Sequence, residues 1–321
     1  MKVVVTGALG HIGSRLIRAL PDAFPGSDIV LLDNLSTQRM CSLFDLPVHG
    51  RYRFLEADVL DADLVPPFAG ADAVVHLAAI TDAANSFRNR DQVERVNVDG
   101  TERVARACLQ TNSPLVFLST TSVYGTQTGT VDEDCPASDL KPQSPYAESK
   151  LAMEVRLRTL GETENLAFVT LRLGTIFGTS IGMRFHTAVN KFCWQAALGQ
   201  PITVWRTAMN QHRPYLDLGD AVNAILFVIR RSLFNRGLYN VVTNNATVKD
   251  IIDLISKHLG VGPSIQTVDS EIMNQLSYHV SSSRFRSLGF EFHGSLDRGI
   301  GETLALLRAV AGGERKTGQG G

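Results

Sequence analysis

The residues best placed to do chemistry lie in Ser144-Pro145-Tyr146-Ala147-Glu148-Ser149-Lys150. A tyrosine and a lysine four apart share one face of a helix, one turn from each other. An ammonium beside a phenol favours the phenolate, so the spacing predicts a Tyr146 pulled down from about 10 toward neutrality. Such a phenol is a general base for the proton of an alcohol. The helix itself is well specified, with Ser144 as its cap and Pro145 at its first position. Taken alone, the same pattern also describes an exposed tyrosine and a solvated lysine. The elements around it have to decide.

The first of those elements is at the N-terminus. Val3-Val4-Val5 is a continuous β-branched run, as a buried parallel strand would be. It leads into Thr6-Gly7-Ala8-Leu9-Gly10-His11-Ile12-Gly13 and then a helical pattern (Ile12, Leu16, Ile17, Leu20) that should stop at Pro21. Strand, glycine turn and helix make a phosphate-binding context. Gly7 allows the tight turn, Gly10 lets backbone approach a pyrophosphate at the positive helix end, and Gly13 lets helix pack on strand. His11 reads as a spacer in that loop rather than a catalyst. Asp28 to Asp33 is a second strand, and Asp33 follows the last loop glycine by about 20 residues, where an acid meets the adenosine ribose. A carboxylate there repels a 2′-phosphate, which favours NAD over NADP.

Arg53 to Val59 reads as a third strand whose Asp58 could receive the adenine amino group. Asp72 to Ala79 reads as a fourth, whose small residues after His76 would let backbone pass close to the cofactor. His76 within it reads as a satisfied strand-end histidine. A helix carrying Val93, Val96, Val104, Ala105 and Cys108 follows, then a fifth strand, Leu115 to Leu118. Strands alternating with helices imply an α/β, Rossmann-type doubly wound parallel sheet, and ligands bind beyond the carboxyl ends of such strands. The hydroxyl run Ser119-Thr120-Thr121-Ser122 sits at one of those ends.

Length and composition agree. The 321 residues suffice for one or two domains, and a net charge of −1 without basic or acidic runs suggests neither nucleic acid nor a membrane surface as partner. No apolar run has the length of a transmembrane helix, and Lys2-Val3-Val4-Val5 does not open a signal peptide. Cys41, Cys108, Cys135 and Cys193 are scattered, as free thiols of a reducing cytoplasm would be, and no metal site is expected.

TGALGHIG, DNLST (33–37), DV (58–59), HLAA (76–79), STTSVYG (119–125) and YAESK (146–150) together resemble the extended short-chain dehydrogenase/reductases, and within them the nucleotide-sugar epimerase/dehydratase family typified by UDP-galactose 4-epimerase. The resemblance spans roughly 1–300. It implies Thr120, Tyr146 and Lys150 as one catalytic set. It also implies NAD held by Gly7, Gly10, His11, Ile12, Gly13, Asp33, Asn34, Ser36, Asp58, Val59, Leu77, Ala78 and Ala79, with Lys150 and Tyr146 at the nicotinamide end. The stretch Leu171-Arg172-Leu173-Gly174-Thr175-Ile176-Phe177-Gly178 has Thr175 where the family commonly has a substrate-binding Asn. Thr121, Thr175, Arg184 and Asn190 are therefore candidate substrate contacts, with Arg213, in His212-Arg213-Pro214-Tyr215, as the diphosphate grip. The expected division is a cofactor domain over 1–173, with about 211–242 returning to it. A smaller C-terminal α/β substrate lobe takes about 174–210 and 243–311, and 312–321 form a flexible tail. A homodimer is expected from the resemblance alone.

The chemistry that follows is removal of the proton from a sugar hydroxyl, most simply O4, with hydride transfer to NAD. Return to the other face gives a 4-epimerase. Release of the ketone gives a dehydrogenase or, reversed, a ketoreductase. Loss of water across C5 and C6 gives a 4,6-dehydratase. Related dehydratases place carboxylic acids where this chain has Thr121 and Ser122, so the epimerase is favoured. A non-catalytic NAD-binding sensor on the same fold is the reading from another class.

Overall fold

The computed structural model describes residues 1–127, 129–269 and 277–310. The tail expected at 312–321 lies outside the described residues, as does residue 311. Strand β1 (Lys2–Thr6) is buried and runs into α1 (His11–Ala23). That helix does not stop at Pro21. Proline has no N–H for the carbonyl of Ile17, and the Tyr52 hydroxyl donates to it instead at 2.9 Å, so the helix runs on to Ala23. Next come β2 (Asp28–Asp33), β3 (Arg51–Glu56), a short α2 (Val65–Phe68) and β4 (Ala73–His76). The third strand thus ends before Asp58, whose carboxylate accepts from Leu60 N at 2.9 Å and turns the chain.

One long helical stretch follows: α3 (Arg90–Glu94), a π turn over Arg95–Asp99, and α4 (Gly100–Thr111). Then come β5 (Leu115–Thr120), the two-residue β6 (Thr130–Val131), α5 (Pro145–Glu164), β7 (Phe168–Leu173) and β8 (Thr175–Phe177). The later elements are α6 (Ala188–Ala197), β9 (Ile202–Trp205), β10 (His212–Asp217), α7 (Leu218–Arg230) and β11 (Asn235–Val241). They end with β12 (Asn244–Thr247), α8 (Val248–Leu259), β13 (Ile265–Val268), β14 (His279–Val280), α9 (Ser283–Ser287) and α10 (Leu296–Val310).

Seven parallel strands make the main sheet in the order β11-β7-β5-β4-β1-β2-β3. Strand order reverses between β1 and β4, which opens a crevice at their carboxyl ends. One face buries Leu16, Ile17 and Leu20 of α1 against Ile225 and Ile229 of α7. The other buries Val104 and Cys108 of α4 with Met153 and Leu157 of α5. A third core, built on Val189, Phe192, Ile251, Ile255 and Leu304, belongs to the C-terminal elements α6, α8 and α10. The chain expected to return from about 211 does so only with α7 and β11. Strand β10 pairs with β8 and β12 in a separate three-stranded sheet, because Tyr215 aligns with Thr175 and Arg213 with Ala246.

On α5, Tyr146, Lys150 and Glu154 recur every four residues. Glu154 is buried against β7, where Arg172 Nε and Nη2 donate to its two oxygens at 2.9 and 2.6 Å. Ser119 Oγ at the end of β5 donates to the same carboxylate at 2.5 Å, and the Tyr124 ring faces the guanidinium at 4.8 Å. The pair therefore clamps the helix to the ends of two strands. Removing one partner strands a buried charge. We predict that Arg172→Met lowers stability in urea unfolding by about 3–5 kcal/mol, and that Arg172→Met with Glu154→Leu recovers most of it. A single-variant loss under about 1 kcal/mol would mean that the pair does not hold the helix.

Candidate active site

The glycine turn lies in the crevice between β1 and β4. Gly7 has φ +64°, and a Cβ there would sit 2.5 Å from Ala78 N, so the turn presses directly on the chain leaving β4. A Cβ at Gly13 would meet the carbonyls of Ala8 and Gly7 at 2.5 and 2.6 Å. Gly13 thus closes the helix onto its own loop rather than onto a strand. At Gly10 a Cβ would meet only Gly7 O, at 3.3 Å, and its open side faces the cleft. Gly10 caps α1 without a side-chain bond, and the first turn of α1 carries no acid. An uncapped helix start with no anion of its own can accept a phosphate. Asp33 borders the same cleft, its carboxylate accepting from Leu9 N and Leu35 N at 3.0 Å each. Asp58 lies beside it, accepting from Asn34 Nδ2 at 2.8 Å. These features fit a dinucleotide: helix start to diphosphate, Asp33 to ribose, Asp58 to adenine.

A segment of the C-terminal half lies across this turn. Ser180 Oγ donates to His11 O at 3.0 Å, which leaves His11 Nδ1–H to donate back to Ser180 Oγ at 2.8 Å. Gly182 N donates to Ser14 Oγ, and a Cβ on Gly182 would be 2.5 Å from Leu9 O. Burial, with Arg184 nearby, holds His11 neutral with its value lowered to about 3, so its buried Nε2 is an unpartnered acceptor. His76 is the satisfied histidine expected. Thr6 Oγ1 lies 2.7 Å from Nδ1 and Thr101 Oγ1 lies 3.0 Å from Nε2, and burial keeps it neutral.

A cleft of about 970 Å³ joins the turn to the candidate catalytic residues; Thr120, Tyr146 and Lys150 all border it. Ser144 caps α5 through Ala147 N at 3.2 Å, and Tyr146 N donates to Ser86 Oγ at 3.4 Å. Thr120 Oγ1 accepts from Ser122 N at 3.1 Å. The electrostatics differ from the expectation. Burial pushes Tyr146 above its ordinary value, opposed first by Arg184 and then by the Thr120 hydroxyl. Lys150 is 4% exposed, lies 4.9 Å from the Phe117 ring centroid, and is itself lowered to about 8 by burial, with Glu154 opposing. Desolvation of the phenol outweighs the cations, and the leading cation is Arg184 rather than Lys150.

The other sequence-derived residues divide cleanly. Gly7, Gly10, His11, Ile12, Gly13, Asp33, Asn34, Ser36, Asp58, Val59, Leu77, Ala78 and Ala79 border the cleft, as do Thr175, Arg184 and Arg213. Thr121 and Asn190 do not border it. Thr121 is buried and its hydroxyl donates to Leu173 O at 3.3 Å. Asn190 is fully buried, accepting from Gly178 N and donating to Arg184 O at 3.0 Å, so it shapes the loop that carries Arg184.

Three residues escaped the sequence reading. Asn97, on the π turn, donates to Ser149 Oγ at 3.1 Å and bonds both backbone groups of Ile80, tying α5 to the chain after β4. A polar residue between Val93 and Val104 on an apolar face was its signal. Glu154 carried a signal too, one more step along the Tyr146–Lys150 spacing. Tyr215 borders the cleft with its buried hydroxyl unpartnered.

The family model of the NAD dependent epimerase/dehydratase family matches residues 3–241. An Arabidopsis thaliana trifunctional UDP-glucose 4,6-dehydratase/3,5-epimerase/reductase is 28% identical over 317 residues, 94% of this chain and 46% of that protein. The chain thus spans about half the length of such plant relatives. An uncharacterized UDP-glucose epimerase of Bacillus subtilis is 27% identical over 98% of this chain and all of its own. Among solved structures, a Thermus thermophilus UDP-glucose 4-epimerase in complex with NAD is 25% identical, covers 97% of this chain and all of its own, and has a TM-score of 0.82. A Bacillus cereus UDP-glucuronic acid 4-epimerase with UDP-glucuronic acid and NAD shares the fold at TM-score 0.88, with 24% identity over 96% of this chain and 99% of its own.

Lys150 has a pH signature of its own. Folding lowers it to about 8, while the unfolded chain keeps it near 10.4. Between those values the unfolded chain binds the extra proton, so stability rises with pH; below about pH 8 both states are charged and the cost of burying the ammonium stands in full. Relative to Lys150→Met, the wild type should gain roughly 2 kcal/mol between about pH 8 and pH 10 in urea unfolding. A difference that is flat across that window would mean an ordinary lysine.

Proposed function

The chain belongs to the NAD dependent epimerase/dehydratase family, and on that premise we propose that it is a nucleotide-sugar 4-epimerase acting on a UDP-linked hexose. The carrying observation is that Thr120, Tyr146 and Lys150 border the same cleft as the glycine turn at the switch point of the sheet.

When bound, NAD supplies the redox chemistry, taking up a hydride and giving it back. The turn at Gly7, Gly10 and Gly13 would hold its diphosphate, Asp33 and Asp58 its adenosine, and Lys150 its nicotinamide ribose. Tyr146 takes the proton of the sugar O4 hydroxyl, and Thr120 hydrogen-bonds the same oxygen to keep it in line. Arg184, the leading cation at the phenol, and Lys150, by family resemblance, favour the phenolate that this step needs. The 4-keto sugar stays in the cleft, turns over, and recovers its proton from Tyr146, so that C4 is inverted with no net oxidation.

Three observations favour this outcome over its rivals. The hydroxyl of Thr121 is spent on Leu173 O and Ser122 carries no charge, so neither supplies the acid or base that dehydration needs. Glu154 is committed to Arg172 and Ser119. The segment at 180–182 lies across the cofactor turn, which suits a cofactor retained through the cycle rather than exchanged as in a dehydrogenase. The same reading makes the protein a cytoplasmic homodimer. Four free cysteines support a reducing compartment, and the pairing rests on family resemblance. No helix among the described residues is long and apolar enough to cross a membrane.

The test is turnover of UDP-glucose, UDP-glucuronate and UDP-N-acetylglucosamine followed by NMR. A C4 epimer without NADH supports the proposal. Stoichiometric NADH would make the protein a dehydrogenase, a 4-keto-6-deoxy product a dehydratase, and bound NAD without turnover a sensor. Tyr146→Phe should lower kcat by about 10²–10⁴-fold; activity near wild type would place the base elsewhere.

A further inference from the structure

Arg184 is a half-buried cation in the cleft, and among the described residues it has no carboxylate within ion-pair range. Its guanidinium is held on one side only: Nη1 donates to Thr81 Oγ1, while Nε is buried without a partner. Its backbone is fixed from below by Asn190 Nδ2, which donates to Arg184 O at 3.0 Å. Nε and Nη2 together form the two-donor edge that matches a carboxylate. Three residues on, the Thr187 hydroxyl is likewise buried without a partner and borders the same cleft. Asp82, the acid that acts on Arg184 at longer range, gives its oxygens to Asn85 N and Nδ2 at 3.1 and 2.7 Å. A guanidinium withdrawn from water without a counter-charge is costly, and an anionic ligand offsets that cost.

Position narrows the anion. Arg184 borders the same cleft as Tyr146 and is the leading cation acting on it, so the reacting end of the sugar is within its electrostatic reach. On a pyranose the C5 substituent adjoins the O4 position, whereas the diphosphate leaves from C1 across the ring. The cleft offers Arg213 and Lys191 as separate cations for that diphosphate. At the reacting end, Thr120, Ser122 and Thr175 present uncharged hydroxyls, so none of them repels an anion.

We propose that Arg184 reads a carboxylate on C5 of the sugar, so that the preferred substrate is a nucleotide hexuronate rather than a neutral hexose. This rests on the 4-epimerase reading of the same site. The full chain is assayed with UDP-glucuronate and UDP-glucose, with UDP as competitive inhibitor. The wild type should favour the uronate in kcat/KM. Arg184→Gln should cut the uronate-to-glucose ratio of kcat/KM by about 10–100-fold, the range of a charge-assisted hydrogen bond. Arg184→Lys, which keeps the charge but loses the paired donors, should fall between. The inhibition constant of UDP should move far less than that ratio in both variants. An unchanged ratio with both sugars weakened alike and UDP inhibition lost would assign Arg184 to the diphosphate and overturn the proposal. So would loss of bound NAD in a folded Arg184→Lys, or a wild type that turns over glucose but not glucuronate. Turnover of no sugar in the panel by the wild type would bring down the epimerase reading itself, and this one with it.

Discussion

A buried carboxylate positions the reactive helix. Glu154 takes both guanidinium donors of Arg172 from β7 and the hydroxyl of Ser119 from β5. It cannot leave that site without stranding a charge in the interior. Because Lys150 and Tyr146 lie one and two turns earlier on the same face, fixing Glu154 fixes where both of them meet the cleft. The energetic anchor is thus spatially distinct from the chemistry. The reactive groups can be imperfectly solvated because a neighbouring group carries the structural load.

The cofactor side is held by close backbone approach rather than by charge. Gly7 brings the turn after β1 against the chain leaving β4, where any side chain would collide with Ala78. Asn97 completes the join from the opposite side, bonding Ile80 and Ser149 through a π turn that rotates its amide inward. Ser180 and Gly182 add contacts from the C-terminal half. The glycine turn, the chain after β4, helix α5 and the overlying segment therefore form one connected frame, and a shift in one is felt by the others.

Charge is distributed unevenly along the cleft. Asp33, Asp58 and Asp61 border the end where adenosine would lie, with Arg39 beside Asp33, while Arg184, Lys191 and Arg213 border the remainder, with Asp82 near Arg184. A dinucleotide and an anionic sugar nucleotide would each meet the sign that suits them. The phenol sits between these regimes. Burial is the main cause that raises it, and Arg184 with the Thr120 hydroxyl works the other way, toward a proton-accepting state.

Much of this was legible from residue order alone. Alternating strands and helices, the glycine turn, the capped start of α5 and the Tyr146–Lys150 spacing are local patterns, set by steric rules and hydrogen-bonding needs within a few residues. Distance in sequence hid the rest. Pro21 does not end its helix because Tyr52 reaches back to Ile17, and Thr121 turns away from the cleft because Leu173 offers a carbonyl. Asn190 serves the loop that carries Arg184, and Arg184 rather than Lys150 is the leading cation at the phenol. The chain order alone determined which groups could react. Only packing decided which of them face the same space and at what cost in lost water, because desolvation and charge pairing depend on separations between parts of the chain that no local pattern records.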